Sequence, residues 1–89
     1  MPHVIFTDNI QRHLHCPPSQ TDGRTVGEAL ADFFRKHPQA RSYVLDDQGA
    51  VRKHVVIFVD GLQIQDRRGL GDAVEPNAEV YVMQALSGG

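Results

Sequence analysis

The chain ends in Gly88-Gly89, so its last chemical group is a carboxylate carried on two residues without side chains. A carboxylate resists nucleophiles until one oxygen becomes a leaving group, and a partner that achieves this must draw the chain end into its own active site. Such an end has to be thin, flexible and open to backbone angles closed to other residues, which glycine supplies. Frayed termini are Gly-rich too. The segment before the glycines gives weight to the chemical reading. Glu79-Val80-Tyr81-Val82-Met83-Gln84-Ala85-Leu86 reads as a strand, so Ser87, Gly88 and Gly89 would leave directly from a sheet.

Other groups capable of chemistry are few. His13, His15 and Cys16 lie close together, and His13 and His15 would share one face of a strand, where a soft divalent metal finds suitable donors. A structural zinc site needs a fourth ligand, no partner motif supplies it, and no metal is expected. Cys16 beside His15 has no readable orienting acid or oxyanion donor, which points to an inert thiol rather than a nucleophile. Arg52-Lys53 and Arg67-Arg68 read as solvated basic pairs, the second able to steer an acidic partner. Asp46-Asp47 falls in a turn and needs no further role. No general base, nucleophile or cofactor motif can be assembled, so an enzyme is not expected.

With 89 residues there is room for one domain, burying roughly 60 to 65% of the unfolded chain's surface. The apolar fraction is 40%, the charged fraction 22% and the net charge -2, as in ordinary soluble domains, and nothing resembles the basic patch that nucleic acid requires. The longest apolar run, Val55 to Val59, is far too short to span a bilayer. Cys16 is the single cysteine, which excludes an internal disulfide, and no signal-peptide pattern is present, so a cytoplasmic location is expected.

The elements follow from periodicity and turn chemistry. Val4-Ile5-Phe6 is a strand core, Asp8-Asn9 a turn, and Arg12 to Cys16 a second strand ended by Pro17-Pro18, with Ser19 to Arg24 a polar loop flexible at Gly23. Thr25 and Glu28 form a capping-box pattern. Val26, Ala29, Leu30, Phe33 and Phe34 then make one buried helical stripe, Arg35, Lys36 and His37 suit the last turn, and Pro38 ends the helix. Tyr43-Val44-Leu45 is a small apolar segment. Val55 to Val59 and Leu62 to Gln65 flank Asp60-Gly61, a strong type I′ hairpin signal. A crossing from Asp66 to Asn77, anchored by Leu70 and Val74, leads to the final strand.

Two hairpins with a helix between them and a closing strand give an α+β chain with the element order of the β-grasp fold, a mixed sheet of about five strands and one main helix. In that fold the last strand lies parallel to the first in mid-sheet. Residues 1–86 would form this domain and residues 87–89 a flexible tail.

At this point the chain resembles the ubiquitin-like sulfur carriers of the MoaD and ThiS type. Thr25-Val26-Gly27-Glu28-Ala29-Leu30 looks like their Thr-Val-x-Glu helix start, and Gly88-Gly89 like their terminus. Val59-Asp60-Gly61 stands where they usually have Val-Asn-Gly, and Pro76-Asn77-Ala78-Glu79-Val80 where they usually have a Gly-Asp turn. Leu45 to Gly49 with Val51 to Val55 looks most like the CysO-like branch. The resemblance implies a carrier whose Gly89 carboxylate an E1-like adenylyltransferase activates with ATP and converts to a thiocarboxylate, with no cofactor bound to the carrier. Gly88 and Ser87 would give access to a narrow channel. A sulfur-accepting synthase acting on molybdopterin, cysteine, thiazole or another product would take the cargo.

Recognition would fall to the sheet face and the base of the tail. Alternation puts Val80 and Val82 on one side of the last strand and Tyr81, Met83 and Ala85 on the other, and the second set is assigned to the partner, with Leu86 as an apolar anchor. Parity does not say which side is buried, so a core role for Tyr81 and Met83 stays open. Two other functions share the pattern: a ubiquitin-like modifier joined through Gly89 to lysine, and a β-grasp binding module without tail chemistry.

Overall fold

A computed structural model describes residues 1–7, 10 and 16–84. Five strands, β1 (His3–Phe6), β2 (Ser19–Gln20), β3 (Val55–Val59), β4 (Leu62–Gln63) and β5 (Glu79–Gln84), form one sheet in the order β2-β1-β5-β3-β4. β5 runs parallel to β1 and antiparallel to β3 in the middle of the sheet, as the β-grasp expectation requires. Two helices, α1 (Val26–Lys36) and α2 (Pro38–Val44), complete the described fold. None of the described helices is long and apolar enough to cross a membrane.

Helix α1 starts where side chains replace its missing hydrogen bonds. Thr25 is extended, and its Oγ1 accepts the Glu28 N–H at 3.2 Å. Glu28 reaches back to the Arg24 N–H, one residue earlier than a standard capping box. The next orphan donors, the N–H groups of Val26 and Gly27, go to the carbonyls of Asp72 and Leu70 in the crossing before β5. The predicted stripe of Val26, Ala29, Leu30, Phe33 and Phe34 is buried against Val4, Phe6, Ile57, Val80 and Val82. Leu70 and Val74 join this core as expected, Leu70 in the left-handed region at φ 55. Asp66 holds that conformation by accepting the N–H groups of Arg68, Gly69 and Gly71.

Four expectations need correction. The strand beside β1 is Ser19–Gln20, inside the segment read as a loop, because Thr21 is buried and gives both its N–H and its hydroxyl to the Pro2 carbonyl. The second strand expected over Arg12 to Cys16 falls mostly on residues 11–15, outside the described residues. Cys16 itself lies outside any strand. Helix α1 does end before Pro38, as expected, but the segment after it is helical as well: Pro38 opens α2, where its missing N–H costs nothing, and Ala40 and Val44 bury one face of that helix. The hairpin strand β4 stops at Gln63 rather than Gln65. Gly23 is a point of close approach rather than of flexibility, since a Cβ there would sit 2.6 Å from the Ala29 nitrogen.

The Asp60-Gly61 hairpin is as predicted, with φ of 49° and 88° at its two central residues. The Asp60 carboxylate also accepts the Glu79 N–H at 2.9 Å, which fastens the turn to the start of β5. The departure at residues 76–80 is accommodated by a turn in which the Ala78 N–H donates to the Glu75 carbonyl.

Asp32 makes this fold sensitive to acid. Its buried carboxylate accepts the Asp22 N–H at 2.9 Å and pairs with Arg35, and these bonds, the backbone one first, hold its pKa below the usual carboxylate value. The Asp66 carboxyl is lowered too, chiefly by the N–H groups of Gly69 and Gly71. A folded-state pKa below the unfolded value of about 3.9 gives stability that is complete above that pH and disappears as pH falls through the folded value. Urea unfolding is therefore expected to show stability falling from about pH 4 downward. Asp32→Asn should lower stability at neutral pH and flatten that slope, and an unchanged slope would remove Asp32 from this role.

Candidate functional site

Strand β5 sits at the centre of the sheet and ends at Gln84, which pairs with Val55 at the start of β3. The last described residue therefore lies beside the start of β3, at one end of the sheet's central strands. Burial settles the parity along β5: Val80 and Val82 are fully buried on the helix side, whereas Tyr81 and Met83 are only partly buried on the other face. The reading in which Tyr81 and Met83 belong to the core against α1 is excluded by this alternation. Ala85, Leu86, Ser87, Gly88 and Gly89, assigned above to partner contact, tail access and acyl chemistry, lie outside the described residues.

Register extends the face beyond β5. Tyr81 lies between Ile5 on β1 and Phe58 on β3, and Met83 lies opposite Val56. Ile5, Val56 and Phe58 are all partly buried, while their strand neighbours Val4, Phe6, Val55 and Ile57 fill the core. Five apolar side chains from three strands thus line one half-exposed surface that runs toward Gln84. Sequence reading singled out only the two on β5. Alternation separates Val56 and Phe58 from their buried neighbours on β3, and Ile5 from its buried neighbours on β1, but placing them beside Tyr81 and Met83 required the register between strands.

The other proposed sites separate from this surface. His13 and His15 are outside the described residues, and among the described residues no three His, Cys, Asp or Glu side chains converge to hold a metal. Cys16 is buried, Gln39 donates to its Sγ at 3.8 Å, and burial raises its thiol pKa, the opposite of what a nucleophilic cysteine requires. Arg67 is a structural cation, donating to the carbonyls of Arg52 and Val55 at 2.7 and 2.8 Å.

This arrangement has no catalytic constellation of its own among the described residues. It presents a half-exposed apolar face, a platform that extends to Gln84, the last described residue of β5.

The ThiS family model matches residues 15–89 of the chain. Among solved structures, SAMP1 from Haloferax volcanii is 24% identical over 99% of this chain and 98% of its own, with a TM-score of 0.77. A chain of the BexX/CysO complex from Amycolatopsis orientalis is 17% identical, with both chains covered completely and a TM-score of 0.82. CysO from Mycobacterium tuberculosis is 18% identical over 97% of this chain and all of its own, with a TM-score of 0.81. At these identities the structures establish a shared ubiquitin-like β-grasp fold. No curated protein matches the sequence.

Proposed function

Because the chain belongs to the ThiS family, we propose that it is a sulfur carrier whose Gly89 carboxylate is adenylated by an E1-like enzyme and then converted to a thiocarboxylate. The observation that carries this reading is the family match, which runs through the Gly-Gly end at residues 88–89. Adenylation joins a carboxylate oxygen to the α-phosphorus of ATP and releases pyrophosphate. A sulfur nucleophile then attacks the carbonyl carbon, AMP leaves, and the terminal sulfur becomes a better nucleophile than the oxygen it replaced. The carrier contributes the acyl group and the docking surface, and the partner supplies the catalysis and the ATP. A sulfur-accepting synthase would be the second partner, and the complex formed by CysO of Amycolatopsis orientalis with BexX supports such pairing.

A modifier function shares the first step. The likeness to small archaeal modifier protein 1 keeps it in view. Incubation with an activating enzyme, ATP and a sulfide source, followed by intact mass measurement, tests the proposal. A carrier gains one sulfur in place of one oxygen on the free chain. A modifier instead gives heavier species with a Gly-Gly remnant on lysine, and a module without tail chemistry gives neither.

The platform makes its own prediction. Tyr81 is central to it, so Tyr81→Glu should raise the KM for the carrier in the loading reaction by roughly 30-fold, in keeping with about 2 kcal/mol for a central interface residue. A KM within about threefold of wild type, below 1 kcal/mol, would remove Tyr81 from the contact.

A further inference from the structure

The loop entering β3 is built as a turn that displays positive charge near Gln84, the last described residue. The Val55 N–H donates to the Arg52 carbonyl at 3.0 Å, which leaves Lys53 and His54 at the two corners, both exposed. Three contacts fix it in place. The Arg67 guanidinium clamps the carbonyls of Arg52 and Val55, Arg52 Nε donates to the Ser42 carbonyl at 2.8 Å, and the Tyr43 ring meets His54 edge-on with centroids 5.6 Å apart. The next residue, Val55, pairs with Gln84, the last described residue before the tail.

Charge is segregated along the strand that follows. β3 begins at this basic turn and ends at Asp60, which bonds Glu79, with Glu75 in the adjoining turn. Five residues of strand span about 16 Å, roughly twice the Debye length of about 8 Å at physiological ionic strength. A partner at the tail pole therefore feels the turn with little cancellation from the acidic pole. The Asp46 carboxylate lines the same hollow as Arg52, Lys53 and His54, held there by accepting the N–H groups of Gln48 and Ala50 through its Oδ1. Among the described residues the one ion pair is Arg35 with Asp32, so Arg52, Lys53 and Arg67 are not engaged in a contact ion pair.

We infer that the Arg52–His54 turn is an electrostatic contact for a protein whose tail-entry channel is rimmed by carboxylates. The inference rests on the carrier reading above, because it assumes that a partner takes up the tail. With a net charge of -2 the whole molecule would be repelled by such a partner in a random orientation. A cationic turn beside the exit reverses the sign locally and favours approach tail first. Arg67 acts as a positioning residue, since its guanidinium holds the turn's carbonyls and does not itself lie at the corners.

The test compares Lys53→Glu/His54→Glu with wild type in the loading reaction with the cognate activating enzyme, at low and raised salt. Glu75→Lys at the opposite pole serves as the control, and thermal unfolding confirms that all three chains are folded. The expected result is a KM for the double variant about tenfold higher with kcat unchanged, and a wild-type KM that climbs with salt while that of the variant does not. A double variant with wild-type KM, or one no different from Glu75→Lys, overturns the inference and leaves the carrier reading standing. A wild-type chain that is never loaded overturns the carrier reading and this inference with it.

Discussion

A chain carrying one extra residue after Gly89 is expected to show no detectable sulfur loading while unfolding at the same midpoint as the native sequence. The two outcomes separate because they depend on different parts of the molecule. The sheet's last described ladder residue is Gln84, paired with Val55, and residues beyond it are not part of the described core. Adenylation, by contrast, needs the carboxylate oxygen in line with the α-phosphorus of ATP in the partner's site. An added residue moves the carboxylate by about 3.5 Å. A misplacement of about 1 Å can already cost on the order of a hundredfold in rate. Gly89→Ala keeps the carboxylate at the same chain position but adds a methyl group where the channel must be narrow, and it too should abolish loading. Intact mass spectra after incubation with activating enzyme, ATP and sulfide decide both cases. Normal loading of the extended chain would show that the acyl chemistry does not depend on Gly89.

What could be read in advance depended on whether the signal was local. The capping pattern at Thr25 and Glu28, the stripe from Val26 to Phe34 and the Asp60-Gly61 turn each arise from residues within one or two turns of each other, and each is present in the fold. Strand β2 was not legible because two polar residues have no periodicity: Ser19 and Gln20 pair with Val4 and His3, and Thr21 anchors to Pro2, all partners far away in sequence. Helix α2 was missed for the opposite reason. Its signal was present in Ala40 and Val44, four residues apart, but Pro38 was read only as the stop of α1 and not also as the first residue of a second helix. The functional face divides in the same way. Alternation gave the division of β5 into two sides, but the choice of buried side, and the addition of Ile5, Val56 and Phe58, needed the register between strands.

That division between faces leads to the second large effect: Phe33→Ala should remove about 3 to 5 kcal/mol of stability, whereas Phe58→Ala should remove much less. Both are phenylalanines, so their hydrophobic content is equal and only their settings differ. Phe33 is fully buried at the junction of α1 with the sheet, stacked on Phe6 with centroids 5.0 Å apart, edge-on to Phe34 at 6.2 Å and tilted against His37 at 4.8 Å. Its loss leaves a cavity between three elements that cannot close together without breaking the β1–β5 pairing or the α1 cap. Phe58 lies on the open face, partly in water already, and its truncation leaves no enclosed void. Because domains of this size are stable by only about 5 to 15 kcal/mol, the Phe33 variant should be partly unfolded near physiological temperature. Urea titration measures both losses. The loading assay should then show the converse order, with Phe58→Ala folded but slow to engage the partner and Phe33→Ala active in proportion to the fraction still folded. Equal losses of stability at the two positions would mean that the face bearing Tyr81 is as much a part of the core as the face bearing Val80, and the docking role assigned to it would fall.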